Sequence, residues 1–346
     1  MEQRSVPVCV GARSYDVLIG AGVRSSLASV IEGLGARRTV VVSARPREWV
    51  PDTGVETLFL PAQDGEPAKN LGTVEALCRE FARFGLTRSD AVVSCGGGTT
   101  TDVVGLAAGL YHRGVAVVHL PTSLLAQVDA SVGGKTAVNL PDGKNLVGTY
   151  WQPSAVLCDT DYLATLPRRE MLSGFGEIAR CHFIGAGDLR GLPLLDQIAA
   201  GVALKASVVA ADERDAGPRH VLNYGHTLGH ALEIATGFAL RHGEAVAIGT
   251  VFAGLLAGAT GRIDDRRVAE HQEVVDHYGL PSALPLGVGA ADLVTLMRRD
   301  KKALDGLAFT LDGPRGAELV HGLPEEVVVD VLDRMPRRPL DELTCT

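Results

Sequence analysis

The chain has 346 residues, 46% of them apolar and 21% charged, the balance of a globular protein with a large core and room for two domains. A formal net charge of −8 argues against wrapping nucleic acid or lying on an anionic membrane. Six cysteines with no C-x-x-C and no framework spacing read as reduced thiols of a cytoplasmic protein.

The opening "MEQRSVPVCVGARSYDVLIG" alternates like a strand and lacks the apolar core of a cleaved leader, so no leader is expected. "SYDVLIG", "RRTVVVSA", "VETLFLPA", "DAVVSC" and "VAVVHLP" are β-branched runs of buried type, separated by amphipathic stretches such as "NLGTVEALCREFARFGL". That alternation predicts a parallel or mixed sheet covered on both faces. From about residue 167, Ala-, Leu- and Val-rich segments with helical periodicity follow one another, and strand signals fade until "LAFTLDG". The expected fold class is therefore an α/β domain over 1–166 followed by an all-α domain over 167–346. The seam falls near "LATLPRREMLSG", and a cleft between domains is a usual place for a ligand. "GEAVAIGTVFAGLLAGATG" carries Glu244 and is rich in Gly and Ala, like a buried helix rather than a membrane span.

Four stretches carry chemistry. In "DAVVSCGGGTTTDVVGLAAG" a buried strand enters Gly96, Gly97 and Gly98 and then a helix with Asp102 in its first turns. Glycines there let the backbone approach a pyrophosphate at a helix N-terminus, although a tight strand-to-helix turn would use them too. "LPTSLLAQVDASVGGKTAVNLPDGKNLVG" reads as a loop dense in Asp129, Lys135, Asn139, Lys144 and Asn145. Such donors suit a phosphorylated or polyhydroxylated anion; a solvated loop is the alternative. Glu177 in "SGFGEIARCHFIG", the pair His226 and His230 in "VLNYGHTLGHALE", and His242 in "LRHGEAVAIG" offer a carboxylate and three imidazoles on separate helices. They can build a three-ligand metal site, or remain hydrogen-bonded core residues. The stretch H-T-L-G-H lacks the glutamate of H-E-x-x-H, which disfavours a metalloprotease, while Glu233 and Glu244 are available to orient a ligand imidazole. Lys205, Arg219 and the "RRDKK" run from Arg298 to Lys302 add cations, of which the run alone reads as a solvated face.

Taken together, "GGGTTTDVVG", "LPTSLLAQVDASVGGKTAVN", "GKNLVGTYWQP", "LKASVVAADERD", "LNYGHTLGHALE", "HGEAVAIG" and "DKK" resemble the dehydroquinate synthase family, the sugar phosphate cyclases, over nearly the whole chain. The resemblance implies an N-terminal Rossmann-like NAD-binding α/β domain, a C-terminal helical metal-binding domain, and a homodimer. It implies Glu177, His226 and His242 as ligands of zinc or cobalt. It implies Glu66, Lys69, Gly97, Gly98, Asp102, Thr122, Lys144 and Thr165 as NAD contacts. Around the substrate phosphate it implies Arg113 from the neighbouring subunit, Lys135, Asn145, Asn223 and a lysine of Lys301 or Lys302. Lys205 and Arg219 match carboxylate binders, Asp129 a polar contact to the reacting ring, and His230 a proton-transfer histidine that is not a ligand. The implied reaction on a phosphorylated sugar acid is redox-neutral: NAD is a returned hydride carrier, the metal a Lewis acid, and phosphate is lost as a carbocycle closes.

Two departures refine this expectation. Dehydroquinate synthases commonly read G-M-A-E-x-x-K where this chain reads "GFGEIAR", which puts Arg180 at the active-site lysine. Arginine is a planar fork that does not readily give up a proton. The segment between "HFIGAGDLRG" and Lys205 is also shortened. Both features are similar to the aminodehydroquinate synthase branch, whose substrate carries an amino group. The "VVVSARPREW" turn lacks the acidic residue often used on the adenosine ribose. A 3-dehydroquinate synthase is the alternative. An NAD- and metal-dependent polyol dehydrogenase is disfavoured because it has no use for Lys135, Asn145, Lys205 and Arg219. A regulator without chemistry is disfavoured by the full set of ligands and cations.

Overall fold

A computed structural model describes residues 2–298 and 307–344. The chain forms two compact units, Met1–Leu166 with Pro193–Arg214, and Pro167–Leu192 with Asp215–Thr346.

The first unit contains strands β1 (Gln3–Val8), β2 (Tyr15–Gly20), β3 (Arg38–Ser43), β4 (Glu56–Pro61), β5 (Ala91–Gly96), β6 (Ala116–Pro121), β7 (Lys135–Leu140), β8 (Gly143–Tyr150) and β9 (Ala155–Asp159). Seven of them make one sheet in the order β1-β2-β9-β6-β5-β3-β4, parallel except for the β1–β2 pair. Helices α1 (Leu27–Gly33), α2 (Leu71–Phe84) and α3 (Gly98–Leu110) cover it. Val41, Val93 and Val118 pack with Leu27 and Ile31 of α1. Their neighbours Val40, Val42, Val92 and Val117 pack with Val74 and Phe81 of α2 and Val103 and Leu106 of α3. A sheet buried on both faces has no polar side, which is why these strands read as unbroken apolar runs. Helix α2 begins at Asn70, whose side chain accepts from Thr73 N, and ends at Gly85 in the left-handed conformation. That is the expected N-cap and C-cap chemistry.

Three features differ from the sequence reading. The polar stretch read as a loop is a short π-helical turn, Ala126–Ala130, followed by the antiparallel hairpin β7–β8. Strand β9 was not anticipated, since its five residues carry too little pattern to stand out. Of the two helices next in the chain, α4 (Arg168–Cys181) opens the second unit but α5 (Leu194–Ala211) belongs to the first, where it packs on β1 and β2. The segment 193–214 therefore departs from the expected 167–346 helical domain. Its helical period is clear, but periodicity does not say which partner takes the apolar face.

The second unit continues with α6 (His226–Ala235), α7 (His242–Ala259), α8 (Asp265–His277), α9 (Ala290–Arg298), α10 (Glu325–Arg334) and α11 (Leu340–Leu343). Small strand pairs accompany them: β10 (Leu284–Pro285) with β13 (Arg337–Arg338), and β11 (Ala308–Leu311) with β12 (Glu318–His321). Helices α5 and α7 are long and apolar enough to cross a membrane by length and composition, but α7 is buried along most of its length within its unit.

The packing of α7 rests on glycines. A Cβ at Gly176 would lie 2.3 Å from the Gly243 carbonyl, one at Gly243 would lie 1.8 Å from the Ser173 carbonyl, and one at Gly249 would lie 1.9 Å from the Gly225 carbonyl. Backbones can approach this closely only where side chains are absent. The contacts bring the residues beside these glycines, Glu177, His242 and His226, into range of one another.

Candidate active site and metal centre

In the first unit, β5 delivers the chain into Gly96 and Gly97, and α3 starts at Gly98. Its N-cap is Gly97, which has no side chain to satisfy the first helical amides. An uncapped helix N-terminus behind a glycine turn is suited to a pyrophosphate. Thr122 sits at the same strand ends, its N–H donating to the Gly96 carbonyl at 2.9 Å. Buried Lys69 donates to Asp102 Oδ2 and Asn145 Oδ1, both at 2.6 Å. Burial pushes the Asp102 carboxyl up, against the opposing pull of Lys69. Around this pair, Asn139 Nδ2 donates to Glu66 Oε1 at 2.6 Å and Lys144 Nζ stands 3.8 Å from the same oxygen. Asn145 has φ 54, and its N–H donates to Asn139 Oδ1 at 2.9 Å. The structure thus gathers Glu66, Lys69, Asp102, Lys144 and Asn145. Asn145, matched by resemblance to the substrate phosphate, stands with residues matched to the cofactor. Thr165 is exposed, its hydroxyl donating to the Tyr162 carbonyl at 3.3 Å.

The "VVVSARPREW" turn carries Arg45, which is paired with an acid from another loop. Arg45 donates through its terminal nitrogen to Asp64 Oδ2 at 2.6 Å and through Nε to Thr122 Oγ1 at 3.2 Å. Sequence spacing gave no signal for Asp64, because β3 and the loop after β4 meet only in the folded sheet.

Asp129 lies in the π-helical turn, a geometry common at functional sites. Lys205 of α5 reaches both its backbone carbonyl and its Oδ1 at 2.7 Å. This pairing explains why a lysine is tolerated on an apolar helix with 9% exposure. Lys135, the first residue of β7, is exposed. Arg113 is exposed after α3, in a turn where His112 and Arg113 both have positive φ, 51 and 62. Gly114 follows with φ 124, and a Cβ there would strike the Trp151 ring at 2.1 Å.

The second unit holds the metal candidates. Glu177 of α4 is fully buried. Its Oε1 accepts no hydrogen bond among the described residues, yet His242 Nε2 stands 3.1 Å and His226 Nε2 3.6 Å from it. The ligand atoms of Glu177, His226 and His242 lie within 4.8 Å of one another. A buried carboxylate oxygen without a donor, faced by two ring nitrogens, fits a divalent cation such as Zn or Co. The other ring nitrogens are engaged: His226 Nδ1 faces the Tyr224 carbonyl at 3.1 Å, and His242 Nδ1 faces Glu233 Oε2 at 3.4 Å. Such partners would hold a proton at Nδ1 and present Nε2 to a bound cation. Glu233 stands where it would orient a ligand imidazole. Glu244 does not: it takes two bonds from Arg169 at 2.8 Å and caps the Arg241 N–H at the start of α7. Its position at the third residue of a helix is a capping position, and that use wins.

Burial alone would raise the Glu177 carboxyl, but Arg180, then His226 and His242, hold it well below the usual carboxylate range. Burial lowers His226 to about 3. In His242 burial is overcome by Glu177 and Glu233, which raise it to about 10. His230 lies one turn beyond His226 on α6, its ring centroid 5.4 Å from that of His226 and 6.1 Å from that of His242. It could share His242 with Glu233 in a second group of possible ligands, but there Glu233 is already the partner of His242. Arg219 is 1% exposed, and Asn223 Nδ2 donates to the His220 carbonyl at 3.2 Å. Lys301 and Lys302 lie outside the described residues.

Comparison with known proteins gives a consistent result. Residues 59–173 match the family described as 3-dehydroquinate synthase N-terminal, and residues 176–303 match 3-dehydroquinate synthase C-terminal. The chain is 76% identical over 342 residues to a protein of Amycolatopsis mediterranei named "Putative aminodehydroquinate synthase", covering 99% of this chain and 97% of that one. It is 40% identical over 326 residues to a 3-dehydroquinate synthase of Pseudarthrobacter chlorophenolicus, covering 87% and 89%. Its fold is similar to that of a 2-deoxy-scyllo-inosose synthase complexed with carbaglucose-6-phosphate, NAD+ and Co2+. The TM-score is 0.87 at 27% identity, over 96% of this chain and 100% of that one.

Proposed function

Because the chain belongs to the 3-dehydroquinate synthase family, we propose that it is an NAD- and metal-dependent sugar phosphate cyclase acting on the 4-amino analogue of 3-deoxy-arabino-heptulosonate 7-phosphate. It releases phosphate and forms 5-amino-5-deoxy-3-dehydroquinate, the aminodehydroquinate of aminohydroxybenzoate and antibiotic biosynthesis. The observation that carries the amino branch is the 76% identity to an aminodehydroquinate synthase against 40% to a 3-dehydroquinate synthase. The latter activity is the second reading, favoured by the several relatives that bear that name.

Glu177, His226 and His242 hold the metal, and Glu233 and the Tyr224 carbonyl orient the two imidazoles. The amides at Gly97 and Gly98, with Glu66, Lys69, Asp102, Thr122, Lys144 and Thr165, hold NAD. When bound, NAD supplies a reversible hydride acceptor and the metal a Lewis acid. Lys205 and Arg219 bind the substrate carboxylate, whose charge suits an ammonium and a guanidinium that burial has stripped of water. In that case Lys205 exchanges Asp129 for the substrate, and Asp129 turns to the reacting ring. Lys135, Asn145, Asn223 and a lysine of Lys301 or Lys302 bind the phosphate, with Arg113 acting from the neighbouring subunit of a homodimer. His230, beside the metal but not on it, carries the proton. The protein works in the cytoplasm, where its cysteines stay reduced.

The deciding experiment gives the purified protein each heptulosonate phosphate, hydroxyl and amino, with NAD and Zn2+, and follows phosphate release. Faster turnover of the amino substrate is expected. Preference for the hydroxyl substrate would move the chain to the second reading, and net NADH accumulation would refute cyclase chemistry altogether.

A further inference from the structure

The two oxygens of Glu177 have different partners, and Arg180 is the reason. Arg180 is 2% exposed, and so deeply buried a guanidinium has to be met by acceptors. Its Nε donates to Glu177 Oε2 at 2.6 Å, and a terminal nitrogen donates to the Leu222 carbonyl at 2.6 Å. The other oxygen, Oε1, is the one faced by Nε2 of His226 and His242. Leu222 belongs to the 3-10 turn Pro218–Asn223, which leads through Tyr224 and Gly225 into α6 at His226. One guanidinium therefore spans the helix that carries the carboxylate ligand and the turn that presents the first imidazole.

We propose that Arg180 is a positioning residue for the metal: it occupies Glu177 Oε2, so that the carboxylate ligates through Oε1 alone, and it ties the Pro218–Asn223 turn to α4. The inference rests on the reading of Glu177, His226 and His242 as metal ligands. A guanidinium suits the task because its N–H groups point in fixed directions, and two acceptors on different segments are held at a set separation. The same bonds remove Arg180 from proton transfer. It keeps its charge throughout, and its role is to decide how the carboxylate meets the cation.

The test reads the metal rather than turnover. Full-length wild type, Arg180→Met and Arg180→Lys are stripped of metal and titrated with Co2+. Dissociation constant and visible absorption are recorded, and circular dichroism checks the fold of each. Wild type is expected to show the strong absorption of a low-coordinate site. Arg180→Met should bind about 10–100-fold more weakly, the range for loss of a partner to a metal ligand, with weaker and shifted absorption as Oε2 joins the coordination. Arg180→Lys keeps a cation beside Oε2 and should recover most of the wild-type spectrum. If the Met variant does not fold, Arg180→Gln, which drops the charge but keeps an amide donor, carries the same expectation. An unchanged spectrum and a dissociation constant within about twofold of wild type in the neutral variant would overturn the proposal while leaving the metal site standing. Failure of wild type to bind Co2+ would remove the metal reading and this inference with it.

Discussion

The two imidazoles on Glu177 are driven in opposite directions by similar burial, and this has a measurable consequence. His226 is lowered to about 3 and is neutral; His242, between Glu177 and Glu233, is raised to about 10 and holds a proton at neutral pH. A cation at Nε2 must displace that proton, while Nδ1–H stays on Glu233. Metal binding near neutral pH is therefore expected to release about one proton. Affinity should climb about tenfold per pH unit through the neutral range, where His242 is still protonated. Calorimetry in buffers of different ionisation enthalpy counts the protons, and a count of zero or two contradicts this division between the rings. A second test separates the histidines of α6. His226→Ala should lose metal, whereas His230→Ala should keep it and lose rate. Equal metal loss in both variants would place His230 on the cation as well.

Among the elements, α7 organises the metal site, and it does so through residues with no side chain. Gly243→Ala would push a methyl group to 1.8 Å from the Ser173 carbonyl, so α4 and α7 must part. Overpacking of this kind costs about 1–3 kcal/mol, and here it also separates Glu177 from His242. Lower melting temperature and lower metal content are both expected. On the same helix, a Cβ at Gly258 meets chiefly the Val268 methyl, at 2.5 Å, far along α7 from the ligands. Gly258→Ala should therefore cost stability and keep metal; metal loss there too would mean that general loosening, not the α4–α7 contact, controls the site. The elements also show what a sequence discloses. Strands β3, β5 and β6 are legible because burial on both faces demands β-branched runs, whereas β4, read as buried, is a half-exposed edge strand; α2 and α3 are legible because their caps and glycine turn are local. The hairpin β7–β8 was hidden because its residues are chosen for polar contacts rather than for alternation. Glu177, His226 and His242 could be named as candidates from residue type, but the glycines that make them converge read only as a buried helix. The placement of α5 and the pairing of Arg45 with Asp64 depend on contacts between distant segments, which no local pattern encodes.

Across the whole chain, each unit keeps a neutral histidine in its core away from the metal candidates, His119 in the first and His271 in the second, and the two should respond to acid together. In the first unit His119 is buried with Nδ1 2.6 Å from Ser94 Oγ, and burial lowers it to about 4. In the second, His271 Nδ1 faces the Arg267 carbonyl at 2.7 Å, which makes it the donor and leaves Nε2 to accept from the Tyr224 hydroxyl at 2.6 Å. Its ring stacks on Phe183 at 3.9 Å, and burial lowers it to about 4 as well. On unfolding both return to the ordinary histidine value of 6.5. Below that value the unfolded chain takes up protons that the folded chain refuses, so stability falls as pH drops and stops falling on this account near 4. Each ring can cost up to about 3 kcal/mol over that window. Urea midpoints should therefore decline steadily between pH 6.5 and 4. The units can be followed separately, because both tryptophans, Trp49 and Trp151, lie in the first unit. With His271→Gln, the acid decline seen by tryptophan fluorescence should persist, while the part of the circular dichroism transition that belongs to the second unit should become shallower, the slope that remains coming from His226. If the fluorescence transition flattens instead, the two units do not unfold independently, and acid sensitivity is a property of the chain as one cooperative body.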